Sequence, residues 1–243
     1  MRVLVVSDIH SNLVALDAVL QDAGPFDVIW SLGDVVGYGP QPNECIERLQ
    51  EYPHVAIAGN HDWGVLGKLD LEQFNNDARL ANLWNRDVLR PASREYLEAL
   101  PITHTEGGVT LAHGSPRHPI WEYLLYASLA KVSFKHFDTS LCLVGHSHVP
   151  VVFRDLPDRD TCEVLPPADE APAQLEEGQR YIINPGSVGQ PRDGDPRAAY
   201  LMLDLESGVY EHRRVTYDIS ATQERMRQAD LPRRLITRLN MGW

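Results

Sequence analysis

Five short stretches of this chain combine residue types that bind metal ions. "SDIH" carries Asp8 and His10, "GD" carries Asp34, "GNHD" carries Asn60 and His61, "AHG" carries His113, and "GHSH" carries His146 and His148. Carboxylates, imidazoles and one amide oxygen suit two hard-to-borderline divalent cations. The mix favours Mn²⁺, with Fe²⁺ or Zn²⁺ as alternatives, over Ca²⁺ or Mg²⁺, which prefer all-oxygen shells. None of the cysteines, Cys45, Cys142 and Cys162, lies in such a stretch, which argues against a structural zinc site. A strand-end Asp alone is ordinarily a turn or cap residue, and a lone His is ordinarily structural. Here that bland reading would have to hold at one strand end after another.

The elements that must position these residues alternate. "RVLVVS" (2–7) reads as a buried β-branched strand and "LVALDAVLQDA" (13–23) as a helix ending at Gly24-Pro25. "FDVIWSL" (26–32) is a second strand, "PNECIERLQEY" (42–52) a helix with Pro42 in its first turn, and "HVAIAG" (54–59) a third strand. Two successive βαβ units predict a parallel sheet. Ligands of such sheets bind beyond the carboxyl ends of the strands, where all five stretches fall, so their side chains are expected in one crevice. Glycines 33, 59, 114 and 145 permit sharp turns beside them. Strands are also expected at 108–115, 140–145, 179–183, 198–204 and 208–216, and helices at 121–137 and 219–239. The acidic, Pro-rich stretch 165–178 is expected as a solvated hairpin loop. Arginines 225, 227, 233, 234 and 238 are read as a solvated helix face mixed with Glu224 and Asp230, rather than a basic patch.

The 243 residues suit one domain, 1–243, with a helical insertion at about 63–100. A formal net charge of −12 argues against non-specific nucleic-acid binding. An odd number of widely spaced cysteines, an apolar start too short for a signal peptide and no membrane-length apolar run predict a reduced, cytoplasmic protein. Two divalent ions, two carboxylates and a bridging hydroxide would leave a charge of about +1 in the crevice, which would draw a phosphate despite the acidic surface.

The five stretches, extended as "SDIHSN", "GDVVGYGPQP", "GNHD", "AHGSP" and "GHSHVP", together with "NPGSVGQPRDGDPRAAYLMLD", resemble the calcineurin-like metallophosphoesterases, and among them the YfcE-like phosphodiesterase branch. The resemblance runs from residue 6 to about residue 204. It implies an α/β fold, a four-layer α-β-β-α metallophosphoesterase sandwich with a helical insertion. It assigns Asp8, His10 and His148 to one ion and Asn60, His113 and His146 to the other, with Asp34 bridging. It makes His61 a general acid, or a donor to phosphate oxygen. The reaction implied is in-line attack of a metal-activated hydroxide on a small phosphoester, a phosphodiester first and a phosphomonoester next, with no covalent intermediate.

Four further residues are candidates for substrate contact, each with a structural alternative. Asn12 could donate to phosphate or cap the following helix, Tyr38 could line the cleft or pack beneath it, and Arg117 and Arg192 could bind substrate oxygens or form surface ion pairs. Asn184 and Ser187 are expected to support the site. Related protein and nucleotide phosphatases continue the second motif as "GDxxDRG", whereas this chain reads "GDVVGYG". The missing arginine and acid lower the odds of a protein phosphatase. A non-catalytic scaffold of the same fold would not need the full ligand set, and a nuclease would need a basic groove. The sequence leaves oligomeric state open.

Overall fold

The computed structural model describes residues 1–167 and 171–243, so residues 168–170 of the expected acidic loop lie outside the described residues. The strands are β1 (Arg2–Val6), β2 (Val28–Ser31), β3 (His54–Ala56), β4 (Thr103–Glu106), β5 (Val109–Ala112), β6 (Leu141–Leu143), β7 (Val151–Asp155), β8 (Cys162–Leu165), β9 (Ala173–Gln174), β10 (Tyr181–Asn184), β11 (Ala198–Asp204) and β12 (Val209–Val215). The helices are α1 (Leu13–Asp22), α2 (Pro42–Gln50), α3 (Asn60–Leu66), α4 (Asn76–Val88), α5 (Pro91–Ala99), α6 (Ala127–Ser133), α7 (Ile219–Gln228) and α8 (Arg233–Arg238). No helix among the described residues is long and apolar enough to cross a membrane.

Two six-stranded mixed sheets form, ordered β3-β2-β1-β11-β12-β9 and β4-β5-β6-β10-β7-β8. The expected parallel units are β1, β2 and β3, joined by α1 and α2. Side-chain alternation along β1 explains the layering. Val3 and Val5 face the second sheet, packing with Trp30, Leu111, Leu143 and Ile183. Leu4 and Val6 face outward, against Leu16, Val19 and Ile46 of α1 and α2 and Leu97 of α5. On the far side, Cys142, Phe153 and Ile182 pack against Ala130 of α6 and Phe134. The result is helix, sheet, sheet, helix, as the resemblance implied. A further cluster joins Tyr38 to Ala78 and Ala81 of α4 and to Met226, Leu235 and Ile236 of α7 and α8.

Several expectations need correction. The helix expected over 121–137 is confined to α6 and one 3-10 turn at Phe134–His136. "WEYLLY" offers a helix no polar face, and here Tyr123, Leu125 and Tyr126 stand exposed in a loop. The helix expected over 219–239 breaks before Pro232, which N-caps α8. The expected 165–178 loop contributes the two-residue strand β9. The polar stretch "THTE", not foreseen as a strand, pairs antiparallel with β5 at the sheet edge as β4.

Candidate metal centre

The strand ends meet where the two sheets open. Asp8 and His10 follow β1, Asp34 follows β2, Asn60 and His61 begin α3 just after β3, His113 follows β5, and His146 and His148 follow β6. All are buried, none more than 4% exposed. Asp8, His10, Asp34, His146 and His148 adopt left-handed backbone, with φ between 48° and 65°. Such residues cost of order 1–3 kcal/mol each and gather where a site is held in place by its surroundings. Close glycines make that possible. A Cβ on Gly59 would overlap the Asp34 carboxylate, and one on Gly145 would overlap the Ser7 hydroxyl.

Backbone carbonyls set the tautomers. His10, His113 and His148 each place Nδ1 against a carbonyl, of Val36, Leu32 and Gln190, at 3.1, 2.8 and 2.6 Å. A carbonyl can only accept, so each Nδ1 carries a proton, and in a neutral ring Nε2 offers a lone pair. His146 is reversed: Nε2 donates to the Trp121 carbonyl at 3.2 Å, which leaves Nδ1 free. The Nε2 atoms of His10 and His148 then lie 3.1 Å apart with lone pairs facing. Burial first, then neighbouring positive groups, push both rings below the ordinary imidazole range, so a proton does not relieve that repulsion.

The carboxylates are half-used. Asp8 Oδ2 accepts from the Ser7 hydroxyl at 2.6 Å and the His146 amide at 3.0 Å, and Asp34 Oδ1 accepts from the His61 amide at 2.7 Å. Asp8 Oδ1 and Asp34 Oδ2 are buried without a hydrogen bond. Asp8 Oδ1 lies 3.2 Å from His148 Nε2, and Asp34 Oδ2 lies 3.7 Å from His10 Nε2 and 3.4 Å from His113 Nε2. Asn60 Oδ1 is 3.1 Å from His113 Nε2. Burial opposes a charge on His113, but the Asp34 and Asp8 charges and the Leu32 carbonyl together push the ring up to about 9. The centre thus draws positive charge inward. Facing lone pairs and unpartnered buried carboxylate oxygens fit divalent cations. Within Asp8–His10–His148, and again within Asp34–His113–His146, ligand atoms lie within 4.8 Å of one another. His10, Asp34 and His61 form a third such set.

His61 differs from the rest. Its Nδ1 donates to the Asn82 side-chain oxygen of α4 at 3.1 Å. Its ring packs on Tyr38, with centroids 4.3 Å apart, and on Phe74 at 5.1 Å. Burial pushes it down to about 4, with Asp34 opposing and Arg192 and His148 assisting. Burial thus favours the neutral ring. Asp62, unremarked in the sequence, braces two motifs. Its carboxylate accepts from the amides of Asp34 and Gly59, both at 2.9 Å, and of Val36 at 3.1 Å.

The remaining candidates divide. Asn12 is a cap: Oδ1 accepts from the Ala15 amide and the Thr222 hydroxyl, and Nδ2 donates to the Gly189 carbonyl, so its amide is committed away from substrate. Arg117 is bound to Glu122, the ion-pair alternative. Tyr38 stacks edge-on against His10 at 4.6 Å, and Arg192 donates to its hydroxyl at 3.2 Å. Asn184 donates to the Gly145 carbonyl at 2.7 Å, and the Ser187 hydroxyl donates to the Asp8 carbonyl at 2.8 Å, so both support the ligand loops as expected. Asn82 and Asp62 carried no sequence signal beyond ordinary helix polarity, apart from the place of Asp62 as third helical residue after Gly59.

Residues 1–208 match the family model for the calcineurin-like phosphoesterase superfamily domain. The chain belongs to that superfamily. MJ0912 of Methanocaldococcus jannaschii is 41% identical over 247 residues, 99% of this chain and 98% of the relative. Phosphodiesterase YfcE of Escherichia coli is 27% identical over 214 residues, 84% of this chain and 88% of that one, which supports the YfcE-like branch within the superfamily. A metallophosphoesterase from Sphaerobacter thermophilus has the same fold at a TM-score of 0.91 and 48% identity, covering 100% of this chain and 99% of that one. The paired His/Asp sets thus lie in a superfamily of metal-dependent phosphoesterases, at the mouth of its shared fold.

Proposed function

We propose that this chain is a dinuclear metal-dependent hydrolase of small phosphoesters, acting on phosphodiesters first and phosphomonoesters next. The observation that carries this reading is the pair of facing imidazole lone pairs beside unpartnered carboxylate oxygens. In it, Asp8, His10 and His148 would hold one ion and Asn60, His113 and His146 the other, with Asp34 shared by both sets. Two divalent ions bound there would supply Lewis acidity and lower the pKa of water enough to make it nucleophilic at neutral pH. The mixed imidazole and oxygen set suits Mn²⁺, Fe²⁺ or Zn²⁺, and Mn²⁺ is the ion proposed.

The other groups orient substrate and move a proton. His61, neutral at rest and fixed by Asn82, presents Nε2 as a proton acceptor. It takes the proton released as water attacks phosphorus and returns it to the leaving oxygen as the ester bond breaks, so the ring ends as it began. Arg192, from the segment after β10, donates to the Tyr38 hydroxyl at 3.2 Å, and the Tyr38 ring packs on both His10 and His61. The full chain acts as a single catalytic unit, with α4 of the 63–100 insertion forming one wall of the site.

The test is hydrolysis of bis-p-nitrophenyl phosphate by the Mn²⁺-loaded chain. Turnover should vanish on chelation and return when Mn²⁺ is restored. Turnover that persists without metal overturns the reading.

A further inference from the structure

Among the described residues about half of the arginines face a carboxylate, Arg90, Arg154, Arg213 and Arg214 among them. Arg192 and Arg238 do not, although the chain has 34 Asp and Glu residues against 22 Lys and Arg. Both guanidinium groups converge on Tyr38, with Cζ 5.7 and 4.7 Å from the ring centroid. Both donate to a single acceptor, Gln190 Oε1. The Nε atom of each is buried and unpartnered. Arg238 comes from α8, beyond the residues matched by the family model.

Two half-buried like charges sharing one neutral acceptor cost free energy that a carboxylate would remove. Burial pushes the Arg238 guanidinium below its ordinary value, and Arg192 and Arg234 add to that push, whereas burial of Arg192 is outweighed by Tyr38, Tyr123 and the Asp8 charge, which hold it above its own. The Tyr38 ring that both guanidinium groups face also packs edge-on against His10, with centroids 4.6 Å apart. A cavity of about 270 Å³ lies beside Arg238, lined also by Asn75, Asn76, Asp77 and Arg234. The missing partner is therefore an anion that arrives with the ligand, and a planar fork of donors best fits phosphate oxygens.

We propose that Arg192 and Arg238 form an anion subsite beside the metal centre, and that the substrate carries a second phosphate besides its scissile phosphoester. The inference rests on the phosphoesterase reading for where the scissile group sits. Tyr38 spaces the two anionic groups, and Gln190 holds the two guanidinium groups together between turnovers.

The test is calorimetric binding of adenosine 3′,5′-bisphosphate and adenosine 5′-monophosphate to the Mn²⁺-loaded full-length chain. The bisphosphate should bind at least about tenfold more tightly, the scale of a charge-assisted contact. Arg238→Gln should bring the two dissociation constants within about twofold, and Arg238→Lys, which keeps the charge but not the fork, should fall between. Melting temperature and metal content of the variants identify a folding defect, in which case Arg192→Gln is read the same way. Equal binding of the two ligands by the unaltered chain overturns the proposal, as does an undiminished preference in folded Arg238→Gln. Binding needs no turnover. A chain that prefers the bisphosphate yet hydrolyses no phosphoester keeps the subsite and loses the catalytic reading, and one that hydrolyses bis-p-nitrophenyl phosphate without the preference does the reverse.

Discussion

Asn82 Oδ1 accepts the Nδ1–H of His61 at 3.1 Å, across from α4 to the first turn of α3. An amide in this position fixes the tautomer without adding charge, so burial dominates and holds the ring near 4. A carboxylate there would favour the imidazolium. Asn82→Asp is therefore expected to raise the His61 pKa by about one to three units. The proton-accepting form would then be lost at higher pH as the medium is acidified, and the acid limb of the pH profile of kcat/KM should move upward. A profile that stays in place would show that Asn82 does not govern the protonation of His61.

His61 touches the centre without sharing the carbonyl-anchored geometry of His10, His113 and His148. His61→Ala should keep both ions while turnover falls about 10²–10⁴-fold, the usual scale of acid–base catalysis. Metal content by mass spectrometry, taken alongside kcat, separates the roles. The ligand atoms of His61, His10 and Asp34 can come together, so loss of an ion in this variant would make His61 a ligand instead.

The residues of the candidate centre were legible because they lie just past strand ends, where an apolar run stops at polar residues, in most cases beside a glycine. The opposite holds for Asn82 and Arg238. Both sit on helices whose polar residues look alike whether they face water or a cleft, and only the docking of α4 and α8 around Tyr38 turns them inward. The reading of Arg238 as part of a solvated face failed for that reason. β4 was missed because "THTE" is an exposed edge strand with no buried face to impose alternation. The length of α6 was overestimated because the apolar run before it serves the site: the Trp121 carbonyl anchors His146, and the Tyr123 ring stacks on that histidine at 3.9 Å. Asn12 shows a different limit. Its place before α1 fits both roles weighed for it, and the choice was made by Thr222, more than two hundred residues away.

Asp34 Oδ2 stands between the two ligand sets, within 3.7 Å of a nitrogen from each. Asp34→Asn keeps the volume and the acceptor that Oδ1 offers to the His61 amide, but removes the charge both sets share. Both ions should be lost or weakened together in a metal titration followed by calorimetry. Loss of one ion with normal affinity for the other would confine Asp34 to a single set.

Without cations the centre holds Asp8 and Asp34 oxygens unpartnered and the His10 and His148 lone pairs opposed, with five residues in left-handed backbone around them. Binding to the folded chain alone stabilises it by about 2.7 kcal/mol per site when free ion stands at a hundredfold over its dissociation constant. For a chain of 243 residues that corresponds to a rise of roughly 5–10 °C in melting temperature per site. Mn²⁺ should therefore raise the midpoint in a thermal scan, and a chelator should reverse the rise. Asp8→Asn together with Asp34→Asn should abolish the response, because both unpartnered oxygens lose their charge. A rise of equal size in that double variant would place the stabilising ions elsewhere on the acidic surface.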